Sequence, residues 1–196
     1  MVSDLRSTRF ILVRHGESEG NRDRRFTVSH LTPLTDRGRE QAREAAAWIA
    51  ARFRPDLVVV SPYLRTRQTG AIIAECLGLP VEVEHDLRER HMGVLAGQAY
   101  GNLREDPTFD RSRFWLWRPA GGESFEEVRT RASRVLDRLA EHRRGHELVV
   151  VSHGGVMTAL WAHAAGNWSQ ARVPRNCGII IAEHAEGRYK PPIASE

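Results

Sequence analysis

Lysine is almost missing from this chain of 196 residues. Lys190 stands alone among 29 Lys and Arg residues, so nearly all the basic charge behind a formal net charge of +4 is guanidinium. Part of this is compositional bias, yet arginine is also the side chain whose planar fork matches a phosphate. Cysteine is scarce as well. Cys76 and Cys177 lie in apolar surroundings without CxxC spacing, which argues against a disulfide scaffold or a zinc site and predicts two reduced, buried thiols in a cytoplasmic protein. Long apolar runs are lacking too. The opening Met1-Val2-Ser3-Asp4-Leu5-Arg6 does not start a signal peptide, and no segment approaches a membrane span, so neither export nor membrane insertion is expected. The chain has no internal repeat, low-complexity tract, heptad pattern or interdomain linker. Its length suits one sizeable core, and residues 1–196 read as a single domain of open oligomeric state.

What the chain does have is a pair of matching endings. Phe10-Ile11-Leu12-Val13 runs into Arg14-His15-Gly16-Glu17, and Leu148-Val149-Val150-Val151 runs into Ser152-His153-Gly154-Gly155. Each is a short, β-branched-rich run that reads as a buried strand delivering a histidine at its carboxyl end. Both histidines should meet at one edge of one sheet, the edge where open α/β sheets bind ligands. Two unrelated histidines followed by turn glycines are the bland alternative, which serves for either motif alone.

Between these endings the elements alternate. Thr35 or Asp36 caps a helix to about Phe53, Leu57 to Val60 is a strand, and a helix from Leu64 to Leu77 stops at Gly78. Val81 to Val83 is a short strand. Ser124-Phe125-Glu126-Glu127 has capping-box spacing, and Phe125, Val128, Ala132, Val135 and Leu139 form a helical stripe. A strand to Val151, a helix from about Gly155 to Ala165 and a last strand from Ile179 to Ala182 follow. The tail from Gly187 to Glu196, with Pro191-Pro192, reads as irregular. This order predicts an α/β fold, a three-layer sandwich with a mostly parallel central sheet and helices on both faces. Residues 86–122 show no clean periodicity, and such a long connection reads as functional, a short cap over the active site.

Arg14-His15-Gly16-Glu17-Ser18 with Asn21, Pro33-Leu34-Thr35 with Gly38 and Gln41-Ala42, Ser61 through Thr69, Leu87-Arg88-Glu89, Gly122-Glu123-Ser124 and Ser152-His153-Gly154-Gly155 follow one another in a recognisable order. From about Arg9 to Ile181 the chain resembles the phosphoglycerate mutase-like branch of the histidine phosphatase superfamily. The resemblance implies a metal-independent phosphomonoesterase that works through a phosphohistidine intermediate on a small-molecule phosphomonoester and needs no cofactor. His15 is then the nucleophile, and His153 lines the same phosphate pocket. A phosphomonoester is a dianion, so a nucleophile reaches phosphorus only where fixed positive charge and donors cancel the repulsion. Arg14 and Arg65 are the bidentate candidates, and Asn21 and the backbone amides around Gly154 are the neutral donors. The guanidinium groups should keep His15 unprotonated, whereas a charged His153 would stabilise the transition state. Glu89 is the candidate general acid. Its other reading is a surface charge cluster with Glu82, Glu84, Asp86, Arg88 and Arg90. Thr27 stands where relatives often place a polar phosphate contact, or is a plain loop threonine. Glu17 and Ser18 read as positioning residues. No metal site is expected, because His142 and His146 are interrupted by Gly145, lack a carboxylate motif and read as a solvated helix end.

Glu89-Arg90-His91-Met92-Gly93 is similar to the corresponding mutase segment, where a tyrosine usually replaces Met92. Phosphoglycerate mutase is therefore the second reading, with Arg90 a substrate-contact candidate. The glycolytic mutases, however, carry a much longer insertion before Gly-Glu-Ser, and here only Val94 to Ala120 are available. So short a cap implies that water reaches the phosphohistidine. In that cap Phe109, Phe114, Trp115 and Trp117 alternate with Arg104, Arg111, Arg113 and Arg118. The aromatics either pack the cap onto the domain or wall the substrate pocket, with Trp115 and Trp117 as the wall candidates. A third reading, a nucleic-acid-binding module that stacks bases on them, leaves the paired His-Gly motifs unexplained. Neither nucleic acid nor membrane is expected as a partner.

Overall fold

The two apolar runs that end in histidine are neighbours in one sheet. The computed structural model describes residues 7–195, the side chain of Arg104 excepted; the reading of Met1 to Arg6 and the Arg104 side chain in the cap pattern lie outside the described residues. In chain order the elements are β1 (Thr8–Arg14), α1 (Glu19–Arg22), α2 (Asp36–Arg52), β2 (Leu57–Val60), α3 (Leu64–Leu77) and β3 (Val81–Val83). After a long connection come α4 (Phe125–His142), β4 (Glu147–Ser152), α5 (Gly154–Ala165), β5 (Ile179–Ala185), β6 (Arg188–Tyr189) and β7 (Ile193–Ser195). The strand order is β3-β2-β4-β1-β5-β6, with β7 also on β5. β3, β2, β4 and β1 are parallel, and β5 returns antiparallel beside β1.

Alternation along the strands divides the core into two layers. Phe10, Leu12, Leu57, Val59, Leu148 and Val150 face Val128, Val135 and Leu136 of α4 and Val156, Met157 and Leu160 of α5. Ile11, Val13, Val58, Val60, Val149 and Val151 face the other way, onto Ala46 and Ile49 of α2 and Ile73 and Ala74 of α3. Strands covered on both faces need apolar side chains on both, which is why these runs are continuous rather than alternating. Ser124 and Glu127 form the capping box of α4, and Thr35 caps α2 by accepting from the Gly38 amide. Among the described residues no helix is long and apolar enough to cross a membrane.

Three expectations are corrected. The tail is not irregular: β7 pairs with Ile179–Ile181 and β6 with His184 and Ala185. An open β5 edge would leave backbone donors unpaired, and the returning chain satisfies them. Cys76 is exposed, since it lies on the outward face of α3 while Ile73 and Ala74 point inward. Cys177 is only half-buried, at a turn where its φ is 53°. Both thiols are free. The aperiodic 86–122 stretch contains the 3₁₀ turns Gly93–Leu95, Tyr100–Glu105 and Arg111–Arg113 and an isolated bridge from Ala99 to Arg25.

The loop after β1 is seated by a close approach of two glycines. A Cβ on Gly16 would stand 2.2 Å from the Gly38 carbonyl oxygen, and one on Gly38 would stand 2.0 Å from the Glu17 carbonyl oxygen. Gln41 accepts from the Glu17 amide at 2.8 Å and Thr69 from the Gly16 amide at 3.1 Å. Gly38→Ala gains about 1 kcal/mol of helix propensity but forces backbone against backbone, an overpacking that costs up to about 3 kcal/mol. The midpoint of denaturant unfolding should fall by the equivalent of about 2 kcal/mol. An unchanged midpoint would show that the α2 start and the His15 loop are not locked together.

Candidate active site

Arg14 and His15 leave the end of β1, and His153 leaves the end of β4, its parallel neighbour, with Arg14 in register with Ser152. The His15 amide donates to the Ser152 carbonyl at 2.9 Å, and the two imidazoles meet edge to face at 5.3 Å. β2 lies on the other side of β4, and the chain leaving it turns at Ser61 into α3, whose first turn carries Arg65. Three adjacent parallel strands thus bring Arg14, His15, His153 and Arg65 to one sheet edge. His15, His153 and Arg65 are all buried there.

Each imidazole is held by one nitrogen. His15 Nδ1 lies 2.7 Å from the Gly16 carbonyl oxygen, which can only accept, so the proton sits on Nδ1 and the lone pair on Nε2. Arg65 Nε donates toward that Nε2 at 3.3 Å. Burial, then Arg65 and Arg14, hold His15 well below the ordinary imidazole value of 6.5. His153 Nε2 lies 2.7 Å from Ser61 Oγ. Ser61 Oγ also accepts from the Tyr63 amide at 3.5 Å, and since the buried Ser61 hydroxyl has no other acceptor among the described residues, its proton is assigned to the contact with Nε2. Burial, then Arg65 and His15, hold His153 neutral as well. Arg14 Nη1 donates to the Pro174 carbonyl at 2.7 Å. Arg14 Nε, Arg65 Nη1 and His153 Nδ1 are buried without a hydrogen-bond partner among the described residues. Unpaired buried donors are costly, and these three gather around His15, a donor set suited to an anion.

The start of α5 completes the site. His153 is its N-cap, so the first amides of the helix and its positive dipole end lie at the same edge. A Cβ on Gly154 would stand 2.8 Å from Val173 Cγ1, and one on Gly155 would stand 2.7 Å from Glu89 Oε1. The missing side chain at Gly155 lets the carboxylate approach the helix end. Glu89 Oε1 accepts from the Arg90 amide at 2.8 Å, and its charge is the leading one that offsets burial at both Arg14 and Arg65. Asn21 reaches the same region: its Nδ2 donates to Tyr100 Oη at 3.0 Å, and its Oδ1 accepts from Asn176 Nδ2 at 2.9 Å. Asn176 Nδ2 also donates to the His15 carbonyl at 3.1 Å.

The Arg90, Trp115 and Trp117 side chains are engaged in packing. Arg90 turns into the protein, donating to the Glu123 and Trp117 carbonyls at 2.7 and 3.0 Å, with its guanidinium over Phe125. Burial lowers its pKa to about 10. Trp117 is buried against Phe109 and donates to Thr108 Oγ1 at 3.1 Å. Trp115 stacks on Trp168, and Phe114 and Phe125 complete the cluster. The tryptophans thus anchor the 86–122 segment. Thr27 sits against Gly20 of α1. Sequence reasoning missed Ser61, Tyr63, Tyr100 and Asn176. Ser61 and Tyr63 lie inside a motif already recognised, whereas Tyr100 and Asn176 lie in loops that carry no signal. Among the described residues no group of three or more His, Cys, Asp or Glu side chains is arranged to hold a metal ion.

Residues 10–191 match the family model of the histidine phosphatase superfamily (branch 1). Phosphoglycerate mutase-like protein 4 of Arabidopsis thaliana is 33% identical over 167 residues, 82% of this chain and 73% of that protein. A metal-independent phosphoserine phosphatase of the same plant is 33% identical over 177 residues, 85% of this chain and 74% of that protein. Among solved structures, a mycobacterial glucosyl-3-phosphoglycerate phosphatase in complex with VO3 gives a TM-score of 0.83 at 28% identity, covering 93% of this chain and 96% of that one.

Two imidazoles held below their unfolded value couple stability to pH. The unfolded chain takes up protons near pH 6.5 that the folded chain refuses, so this stability is present above about 6.5 and lost as pH falls. Each histidine contributes a slope of at most about 1.4 kcal/mol per pH unit. In urea titrations from pH 7 to 5, His15→Gln and His153→Gln should each flatten the decline of unfolding free energy relative to wild type. Parallel curves for all three proteins would rule out buried neutral histidines.

Proposed function

The chain belongs to the histidine phosphatase superfamily (branch 1) and is a phosphatase, and from that premise we propose that it hydrolyses a small phosphomonoester with His15 as nucleophile and Glu89 as general acid. The observation that carries the reading is His15 itself, with Nδ1 tied to a carbonyl and Nε2 turned toward Arg65. Arg14, Arg65, the Gly154 amide and Asn21 hold the phosphoryl oxygens. As the phosphoryl dianion binds beside it, Glu89 takes up a proton from solvent, and the phosphoryl oxygens take over the Arg65 hydrogen bond from Nε2. Nε2 then attacks phosphorus, the bond to the ester oxygen breaks, and Glu89 gives that oxygen the proton, releasing an alcohol and leaving phosphohistidine. Water then attacks the phosphorus, Glu89 takes its proton, and the phosphorus–nitrogen bond breaks. His153 enters this cycle neutral, its Nδ1 proton directed at the phosphoryl group by the Ser61 hydroxyl on Nε2. The arriving dianion offsets the two arginines and raises its pKa, so a charged His153 belongs to the occupied site.

Mutase transfer is the second reading, favoured by the relative that carries that name. The disposition of the 86–122 segment supports hydrolysis instead. Arg90 donates to backbone carbonyls, and Arg118 donates to the Gly122 carbonyl and pairs with Glu127 at 3.1 Å, so neither faces a second phosphate. Burying Trp117 and stacking Trp115 on Trp168 likewise disfavours base stacking by a nucleic-acid strand. The substrate class is a small phosphorylated metabolite, as the names of the relatives indicate. Two free thiols suit a cytoplasmic setting.

His15→Ala should abolish turnover, and acid-labile, base-stable phosphate should be trapped on the wild-type protein during turnover with or without a chelator. If the variant kept more than about a tenth of wild-type activity, the covalent mechanism would be wrong.

Glu89→Gln should slow the phosphorylation step of an alkyl phosphate on the order of 10²-fold. With para-nitrophenyl phosphate, whose leaving group barely needs a proton, rapid quench should record a much smaller loss. Equal losses would remove Glu89 from the role of acid.

A further inference from the structure

Arg131 of α4 is buried and engages five acceptors. Its Nε donates to Glu123 Oε1 at 2.9 Å and its Nη2 to Glu123 Oε2 at 2.9 Å, a two-pronged pair. Its Nη1 donates to the Asp86 and Arg88 carbonyls at 2.6 and 2.8 Å, and Nη2 reaches the Glu89 carbonyl at 3.3 Å. Glu123 closes the other side: Oε2 accepts from the His91 amide at 2.9 Å, and its own amide donates to the His91 carbonyl at 2.8 Å. Between these grips Ser152 Oγ, next to His153, donates to the Leu87 carbonyl at 2.9 Å. The backbone from Asp86 to His91 is therefore held from both sides of Glu89, and the Glu89 carboxylate is tied to its own chain through the Arg90 amide.

We propose that Arg131 and Glu123 are positioning residues that clamp the Glu89 segment so that its carboxyl group meets the ester oxygen. This rests on the reading of Glu89 as the general acid. A buried guanidinium paired with a half-buried carboxylate is a poor way to stabilise a fold, since apolar side chains of similar volume often serve as well or better. What a guanidinium fork supplies, and an apolar residue cannot, is direction for several carbonyls at once. A general acid must be placed to within a fraction of an ångström, and a misplacement of about 1 Å costs on the order of 10²-fold. The clamp predicts a specific failure. When it loosens, binding survives while proton delivery suffers, and only leaving groups that need the proton register the change.

Arg131→Lys keeps the charge but cannot form the fork, and Glu123→Gln keeps the shape but weakens the pair. Arg134→Lys, an exposed position on the same helix, is the control. Rapid quench should show the phosphorylation step of an alkyl phosphate falling about 10-fold or more in each clamp variant, with KM nearly unchanged, and that of para-nitrophenyl phosphate falling less than about 3-fold. In a Glu89→Gln background Arg131→Lys should add no further discrimination between the substrates. Equal losses on both substrates in Glu123→Gln, or in a folded Arg131→Lys, would overturn the clamp. If Glu89→Gln itself shows no discrimination, it is the assignment of the acid that fails. Discrimination in Glu89→Gln but not in the clamp variants would leave the acid standing and refute the clamp alone. Should Arg131→Lys not fold, Glu123→Gln carries the same comparison.

Discussion

Two guanidinium groups are buried beside two imidazoles, and the repulsion among them sets the terms for the rest of the site. Arg14 and Arg65 lose part of their solvation yet remain cations, because burial lowers an arginine from so high a starting point. Imidazoles start near neutrality, so the same burial and the same cations leave both histidines uncharged. The fixed positive charge is answered chiefly by Glu89, a single carboxylate at the start of α5. A site so poised favours a dianion over a monoanion, and it keeps a nitrogen lone pair available at a pH where free imidazole would be partly protonated. An unprotonated imidazole nitrogen and a cationic surround suited to an anion are thus provided by one electrostatic arrangement.

The fold supplies that arrangement through strand order. β1, β4 and β2 are parallel neighbours, so their carboxyl ends open on the same side, and each contributes a charged or imidazole group within a few residues of its end. α5 begins directly after His153, which adds the positive end of a helix dipole without another side chain. Gly154 and Gly155 then matter for what they leave out, since a methyl group at either would collide with its neighbours. Gly16 and Gly38 do similar work below, allowing the loop after β1 to rest on the start of α2.

Much of this was legible in the sequence because strand endings are local. A β-branched run stopping at His-Gly states where the histidine goes, and the capping box at Ser124 states where α4 begins. The failures share a cause, which is that they depend on contacts remote in sequence. Arg131 reaches carbonyls more than forty positions away, and Asn176 reaches Asn21 across the whole chain. Nothing around Tyr100 distinguishes it from any loop tyrosine. Composition could not separate packing tryptophans from pocket tryptophans, and Trp168, outside the cap altogether, is what draws Trp115 into a packing role. Cys76 misled because its sequence neighbours are apolar while its helical face is not. The tail misled because two prolines suggest disorder, whereas the open edge of β5 rewards two short strands on either side of them.

The two His-Gly motifs look interchangeable in sequence, and their surroundings make them opposite. The Gly16 carbonyl accepts from His15 Nδ1, so His15 offers a lone pair through Nε2. The Ser61 hydroxyl donates to His153 Nε2, so His153 offers a proton through Nδ1. On the proposed pathway one ring gives electrons to phosphorus and the other meets the oxygens that phosphorus carries. A carbonyl has no proton and a hydroxyl does, and that difference, set by two backbone turns rather than by the histidines, divides their labour. It also orders the events on the proposed pathway. His15 needs no change of protonation to attack, while His153 gains its charge only once the substrate's own negative charge has arrived, so the stabilising cation forms where and when the transition state calls for it.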